Sequence, residues 1–354
     1  MFNRRLITHL LLALFACGPT LFAQKPAASA EPPTLAWPPP PAEPRIKLTN
    51  LYYNEYDLGA KKRTSFMDRL AGKAKDVLWL KQPIAVAVDD HGLVFVADAS
   101  AGVVGMDPVN HRMWFFSKVS PGALGTATGI AVDSKFVYVT DSSQNQLVTF
   151  DKEGHRIQAL TTANGIKHPV GVAVDEARDL VLIVNSGDHQ VLMFNRALKL
   201  QKKVGQRGEK PGQFNHPTYC AFLPGTGFVV TDTSNFRVEI FNYEGRFLKT
   251  FGSQGDFSGS FSLPKGIAVD QDGHIYVVDG KFANFQIFRP DGQVLLFVGA
   301  GGNAAGFFQA PCGFAIGKDG AIYVADSVNG RIQRFQYFPE VKKDAATPAE
   351  GGKK

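Results

Sequence analysis

PKGIAVDQDGHIYVVD, residues 264 to 279, holds two apolar runs separated by a short polar turn and closed by an aspartate. Both runs are rich in β-branched and aromatic residues and too short for helices, so they read as two strands of a hairpin. The opening phrase recurs at Pro83, Ala127, Pro169, Pro217, Pro264 and Pro311, at spacings of 44, 42, 48, 47 and 47 residues. Self-similarity at such a period marks a repeat architecture, and it places most of the 354 residues in one unit rather than two domains.

Outward from each hairpin the pattern continues. The second runs end at Asp98, Asp141, Asn185, Asp232, Asp279 and Asp326, where a short carboxylate or amide can accept hydrogen bonds from the backbone of the following turn. A third run follows (QLVTF, QVLMF, RVEIF, RIQRF) and in most copies a fourth (RMWFF, RIQAL, RFLKTF, QVLLFVG). Four strands per copy, apolar on both faces, define an all-β, six-bladed β-propeller of four-stranded antiparallel blades. The last copy stops after its third strand near Phe338, while a strand-like segment from Arg45 to Tyr56 precedes the first. The expectation is that this N-terminal strand completes the last blade and closes the ring. Phe66, Met67 and Leu70 lie at helical spacing in the segment 64–75, which predicts a short helix on the propeller's rim.

The full phrase, P-x-G-I-A-V-D, then I-Y-V-A-D, then S-x-N-x-R-[IV]-x-x-F, resembles the NHL repeat. It is fullest at Pro264 to Asp279 and at Asp326-Ser327-Val328-Asn329-Gly330-Arg331-Ile332, and the resemblance covers residues 82 to 338. The first copy lacks the Asn and Arg positions, and the fourth replaces Gly and Asp by Tyr219 and Leu223. The resemblance implies a recognition platform, since better-known eukaryotic members bind RNA or protein through one face. The ubiquitin ligases that carry such repeats add a cysteine-rich zinc domain, and this chain has no C-x-x-C pair.

At the start, MFNRRLITHLLLALFAC has Arg4 and Arg5 before a short apolar run, the pattern of an export signal. Leu14 to Gly18 resembles a bacterial lipobox, which would make residues 1–17 the signal and Cys17 the lipidated residue; cleavage after Ala23 would release the chain instead. The protein is therefore expected in the periplasm or at the outer membrane as a lipoprotein, or secreted. Residues 18–44 are Pro- and Ala-rich and read as a tether, and residues 339–354 as a disordered tail. The formal charge of +6 is spread along the chain rather than gathered in a basic block, so nucleic acid is not expected as a partner. Of three cysteines, Cys220 and Cys312 fall in copies that are not neighbours and are expected to be free, buried thiols.

Catalytic signatures were sought next. Propeller lyases that resemble this fold hold zinc with histidines directly after the repeat proline; here those positions are Ile84, Thr128, Val170, Thr218, Lys265 and Cys312. His168 and His216 stand one residue before the proline in adjacent copies and could meet near the channel mouth, without an evident third ligand. Lactonase-like propellers hold calcium with converging oxygen ligands, but the recurrence of Asp89, Asp133, Asp175 and Asp270 points to a turn role on the opposite rim. No G-x-S-x-G elbow, phosphate loop or H-E-x-x-H is present, and no cofactor or metal is called for.

What remains is the rim made by the second-to-third-strand turns and fourth-to-first-strand loops. Its glycine-rich loops, residues 205–212, 252–259 and 299–306, suit binding on a rigid scaffold. Candidate contacts are Arg207, Lys210, His168, His216, Phe236, Arg237, Lys265, Lys281, Phe282 and Arg331. For Arg237 and Arg331 a role in bonding neighbouring turns is the stronger reading. Phe214, Phe236, Phe257, Phe261, Phe282 and Phe308 lie in or beside these loops; Phe214, Phe261 and Phe308 recur three residues before the proline, which suits packing between blades, whereas the less regular Phe236 and Phe282 are the better candidates for exposed contacts. The function expected is a non-catalytic scaffold of the cell envelope, a monomer that presents one face to a protein, peptide or glycan. The alternative is an exported metal-dependent hydrolase or lyase with its site in the central channel.

Overall fold

The computed structural model describes residues 35–59, 77–116 and 124–338. Two N-terminal strands come first, β1 (Ala36–Trp37) and β2 (Ile46–Tyr52). Blade 1 is β3 (Pro83–Val88), β4 (Val94–Asp98), β5 (Gly102–Asp107) and β6 (Arg112–Phe115), and blade 2 is β7 (Ala127–Val132), β8 (Phe136–Asp141), β9 (Gln146–Asp151) and β10 (Arg156–Leu160). Blade 3 is β11 (Pro169–Asp175), β12 (Leu180–Asn185), β13 (Gln190–Phe194) and β14 (Leu200–Val204), and blade 4 is β15 (Pro217–Leu223), β16 (Gly227–Asp232), β17 (Arg237–Asn242) and β18 (Phe247–Phe251). Blade 5 is β19 (Pro264–Val269), β20 (Ile275–Asp279), β21 (Asn284–Phe288) and β22 (Val294–Val298), and blade 6 opens with β23 (Pro311–Ile316), β24 (Ala321–Asp326) and β25 (Arg331–Tyr337). All are antiparallel meanders.

Ring closure follows the sequence expectation. The strand β2 pairs antiparallel with β25, from Ile46 opposite Tyr337 to Tyr52 opposite Ile332, so the sixth blade is built from both ends of the propeller chain. The closure begins earlier than the tether boundary at residue 44 implied: β1 adds a fifth strand, Trp37 opposite Ile46, and its ring packs edge-on against Phe335 at 5.7 Å. A tryptophan in a proline-rich stretch had somewhere apolar to go. The segments 64–75, 1–34 and 339–354, and with them the expected helix, signal, Cys17 and tail, lie outside the described residues.

There is no single core. Six apolar clusters fill the six junctions between neighbouring blades, which is why strands in the middle of each blade are apolar on both faces. Phe214, Phe261 and Phe308 are fully buried in these junctions, as their periodicity predicted. At the ring's centre adjacent inner strands approach so closely that a side chain on Gly266 would meet the Cys312 carbonyl at 2.1 Å, and one on Gly129 the Val170 carbonyl at 2.1 Å. The repeat glycine is a blade-spacing residue.

The strand-end acids hold the loops. Asp98 Oδ2 accepts from the backbone N–H of Lys81 and Gln82, before the blade, while Oδ1 accepts from Ser100 and Ala101, in the turn after the second strand. Asp279 repeats this with Ser262, Leu263, Lys281 and Phe282. Asn185 substitutes an amide, its Oδ1 accepting from Lys167 N–H and its Nδ2 donating to the Gly165 carbonyl. All six of these side chains are fully buried. Thus each one ties two segments of the same rim together, rather than the single turn expected from sequence. The four first-strand aspartates do form turns on the other rim, as in Asp89, whose Oδ1 accepts from His91 and Leu93 N–H.

Truncation of Asp98 to alanine would remove the buried acceptor of four backbone N–H donors. We expect a loss of about 3 kcal/mol or more, with Asp98→Asn milder; thermal and denaturant unfolding of the two variants beside the parent checks this, and a loss under about 1 kcal/mol for Asp98→Ala would contradict the stapling role.

Candidate binding face

The inner strands of all six blades, β3, β7, β11, β15, β19 and β23, line a central cavity of about 240 Å³. Its wall is Val86 to Val88, Ile130 to Val132, Val172 to Val174, Cys220 to Phe222, Ile267 to Val269 and Phe314 to Ile316, apolar in its side chains apart from the Cys220 thiol, with backbone groups between them. Burial pushes the Cys220 thiol up to about 12, far from a thiolate at neutral pH. Toward the proline-bearing rim the channel is crossed by Tyr219, which stands where blades 2, 3, 5 and 6 carry the spacing glycine and blade 1 carries Ala85. Its hydroxyl, from blade 4, donates to the Thr128 carbonyl of blade 2 at 3.0 Å and lies 3.4 Å from the Ile84 carbonyl of blade 1. The side chains of this wall include no carboxylate or imidazole, and its polar groups are mainly those of the backbone.

Among the described residues, Asp270, Asp272 and His274 form a cluster close enough to share a metal ion, and it sits on the opposite rim, in the first turn of blade 5. Asp270 is already engaged: Oδ1 accepts from the N–H of Asp272 and His274, and Oδ2 from Tyr276 Oη at 3.0 Å while pairing with His274 Nδ1 at 2.9 Å. That is the turn chemistry of this rim with a histidine added.

The polar, unsymmetrical surface lies on the proline-bearing rim. Three loops there share the spacing G-x-x-G-x-x-x-G-x-F, ending at Phe214, Phe261 and Phe308. In blade 4 the loop is clamped by Arg237, whose Nε donates to Asp232 Oδ2 and whose Nη1 and Nη2 donate to the carbonyls of Glu209, Lys210 and Gln213. Arg331 does the same in blade 6, reaching Asp326, the Ala304 and Phe307 carbonyls and Tyr53 Oη, and is 1 % exposed. The structure thus takes Arg331, and most of Arg237, out of the set of surface contacts: each guanidinium makes four hydrogen bonds inside the fold from its five N–H donors, which leaves little for a ligand.

Exposed on this rim are Arg207, Lys210, Lys281, His168 and His216, while Lys265, Phe236 and Phe282 are half-buried. Phe236 adopts a left-handed conformation, φ 55°, and packs on the junction between blades 4 and 5. Phe257, at 62 % exposure, is the more open aromatic. Lys265 points its Nζ to Cys312 Sγ at 3.6 Å.

The two histidines singled out in sequence do not form a pair. His168 uses its backbone N–H on Asn145 Oδ1, and the partner of His216 is His189, from the turn between β12 and β13, with ring centroids 4.6 Å apart. The His216 backbone N–H donates to His189 Nδ1 at 3.0 Å, which fixes His189 with its proton on Nε2. Burial lowers the basicity of His189, and the nearby His216, Arg207 and Lys167 lower it further against Asp188. A neutral donor beside Arg207 suits a carboxylate or other anionic oxygen better than a metal, because the Nδ1 lone pair is already taken. The signal for His189 was present: the turn position filled by Asn145, Phe236 and Gly330 elsewhere holds histidine in blade 3.

The structure is thus a six-bladed β-propeller. An NHL repeat profile matches residues 261–289 and 308–335, in blades 5 and 6, so the six-bladed propeller carries NHL repeats. No curated protein matches the sequence. Solved structures similar in fold include virginiamycin B lyase from Staphylococcus aureus (14 % identity, TM-score 0.54, covering 73 % of this chain and 96 % of that one). A gluconolactonase from Xanthomonas campestris (15 %, 0.56, 73 % and 88 %) and an auxiliary nutrient binding protein from Bacteroides thetaiotaomicron (13 %, 0.58, 73 % and 69 %) are similar too. Enzymes and a binding protein share this scaffold, so function rests on the site.

The His189 assignment predicts an NMR titration in which this ring protonates below the ordinary histidine value, and rises toward it in His216→Ala or Arg207→Ala. Because the native state then binds fewer protons than the unfolded chain, stability contributed here is present above about pH 6.5 and falls as pH drops through the native value. An unshifted His189 in the parent protein would contradict the packing described.

Proposed function

We propose that the protein is a non-catalytic binding module of the cell envelope, exported by its N-terminal segment, that presents the proline-bearing rim to a protein, peptide or glycan carrying acidic groups. The observation that supports this reading most is the division of chemistry in the ring. The channel is apolar and crossed by Tyr219, whereas the rim gathers neutral His189, His216 and Arg207 with exposed Lys210, Lys281 and Phe257. Connecting loops on a rigid scaffold are where binding resides. An open aromatic among cations is a usual anchor for such contacts. The alternative, a metal-dependent hydrolase or lyase acting in the channel, finds no oxygen or nitrogen ligand among the side chains of its wall.

A photo-crosslinking residue placed at Phe257 in cells of the native host is expected to yield a discrete adduct that Arg207→Glu with Lys210→Glu reduces about tenfold or more, while the same residue at Gln271, on the other rim, yields none. Adducts from Gln271 alone, or stoichiometric zinc or calcium lost together with an activity, would overturn the reading. For export, Cys17→Ala is expected to block lipid attachment and leave an unprocessed chain; unchanged processing would assign simple secretion.

A further inference from the structure

Glu239 is fully buried in β17 of blade 4 and occupies the position that blades 5 and 6 give to Gln286 and Gln333. All three side chains meet one backbone group in common, and the two glutamines meet a second. Their Oε1 accepts from the N–H of Gly212, Gly259 and Gly306 at 3.2, 3.0 and 3.0 Å. The amide Nε2 of Gln286 and Gln333 then donates to the carbonyls of Ser260 and Phe307 at 2.9 and 2.7 Å. In blade 4 the equivalent carbonyl belongs to Gln213, the equivalent atom is Glu239 Oε2, and Oε2 has no hydrogen-bond partner among the heavy-atom donors around it. A carboxylate there would face a carbonyl, acceptor against acceptor; a carboxylic acid would donate to it.

The surroundings favour the acid. Arg237 lies 2.9 Å from Glu239 Oε1, but its Nε is bonded to Asp232, so one cation stands between two buried acids. Asp232, whose carboxyl burial also raises, is opposed in that shift by the hydrogen bonds it accepts from Asn215 N–H, Asn235 Nδ2 and Arg237 Nε. The strand neighbours of Glu239 are Val230 and Thr250, uncharged, and its side of the sheet shares the apolar junction with Val184, Val191 and Phe214. Burial, with Asp232 adding to it and Arg237 opposing, pushes the Glu239 carboxyl up to about 7.

We propose that Glu239 is a proton-operated clasp on the loop 205–214: its Oε2–H donates to the Gln213 carbonyl as the glutamines donate in blades 5 and 6, and ionisation releases that bond and loosens the loop. The native state holds this proton more tightly than the unfolded chain. The clasp therefore contributes fully below the ordinary glutamate range and is lost as pH rises through neutrality. The clasp acts on the loop whether or not that rim binds a partner.

The three equivalent loops make the test internally controlled. Hydrogen exchange of the intact protein, corrected for intrinsic rates, is compared between pH 5.5 and pH 8 for peptides covering 205–214, 252–261 and 299–308. The first is expected to lose about tenfold or more of its protection at the higher pH while the other two hold theirs. In Glu239→Gln the first loop is expected to behave like its sisters, with the thermal midpoint at pH 8 at or above that of the parent. An equal pH response of all three loops in the parent, an unchanged response in Glu239→Gln, or a Glu239→Gln chain that does not fold would each overturn the proposal.

Discussion

The fold depends on a buried acceptor at the end of each second strand. Asp98, Asp141 and Asp279 bind backbone donors from two directions at once, the loop that enters the blade and the turn that leaves its second strand. Asn185, Asp232 and Asp326 instead take a backbone donor from the entering loop and reach the turn through the side chains of Asp188, Asn235 and Asn329. Each such residue is therefore a local closure that fixes one sixth of a rim before neighbouring blades are packed. The apolar junctions then fix blade against blade, and the spacing glycine, shown at Gly266 and Gly129, lets the inner strands come within carbonyl contact. The rim so built is rigid enough to display irregular side chains in fixed positions.

The departures from this scheme cluster. Blade 4 replaces the spacing glycine by Tyr219, which reaches over the channel to blades 1 and 2, and replaces the clasp glutamine by Glu239. Blade 3 replaces the turn residue by His189, which meets His216 of blade 4. These changes lie around the junction of blades 3 and 4, next to the loop that carries Arg207 and Lys210. An architecture that repeats a solution six times makes such local changes visible, since each can be compared with neighbours that kept the rule.

Much of the fold was legible in the sequence because its determinants are periodic: alternating apolar runs, strand-end acids and prolines gave six blades, and the missing last strand pointed to the segment that follows Arg45. The site was less so. Its pairings join residues from different blades, and single positions such as His189 or Glu239 carry no periodic signal. The arginines of the repeat were read as bonding neighbouring turns and are engaged inside the loops, but the pairing of His216 depended on the turn of a neighbouring blade rather than on the repeated proline. Trp37 joined the ring from a stretch whose composition suggested a tether, because one aromatic ring found the exposed edge of Phe335.

The central claim is that the ring is a scaffold and the proline-bearing rim its working surface. Hydrogen exchange of the full chain with and without the partner captured through Phe257 tests this most directly. The account predicts added protection confined to the turn at 186–189 and the loops 205–216 and 252–259. Protection appearing instead in the turns at 89–93, 133–136 and 270–274 would place the working surface on the opposite rim and contradict it.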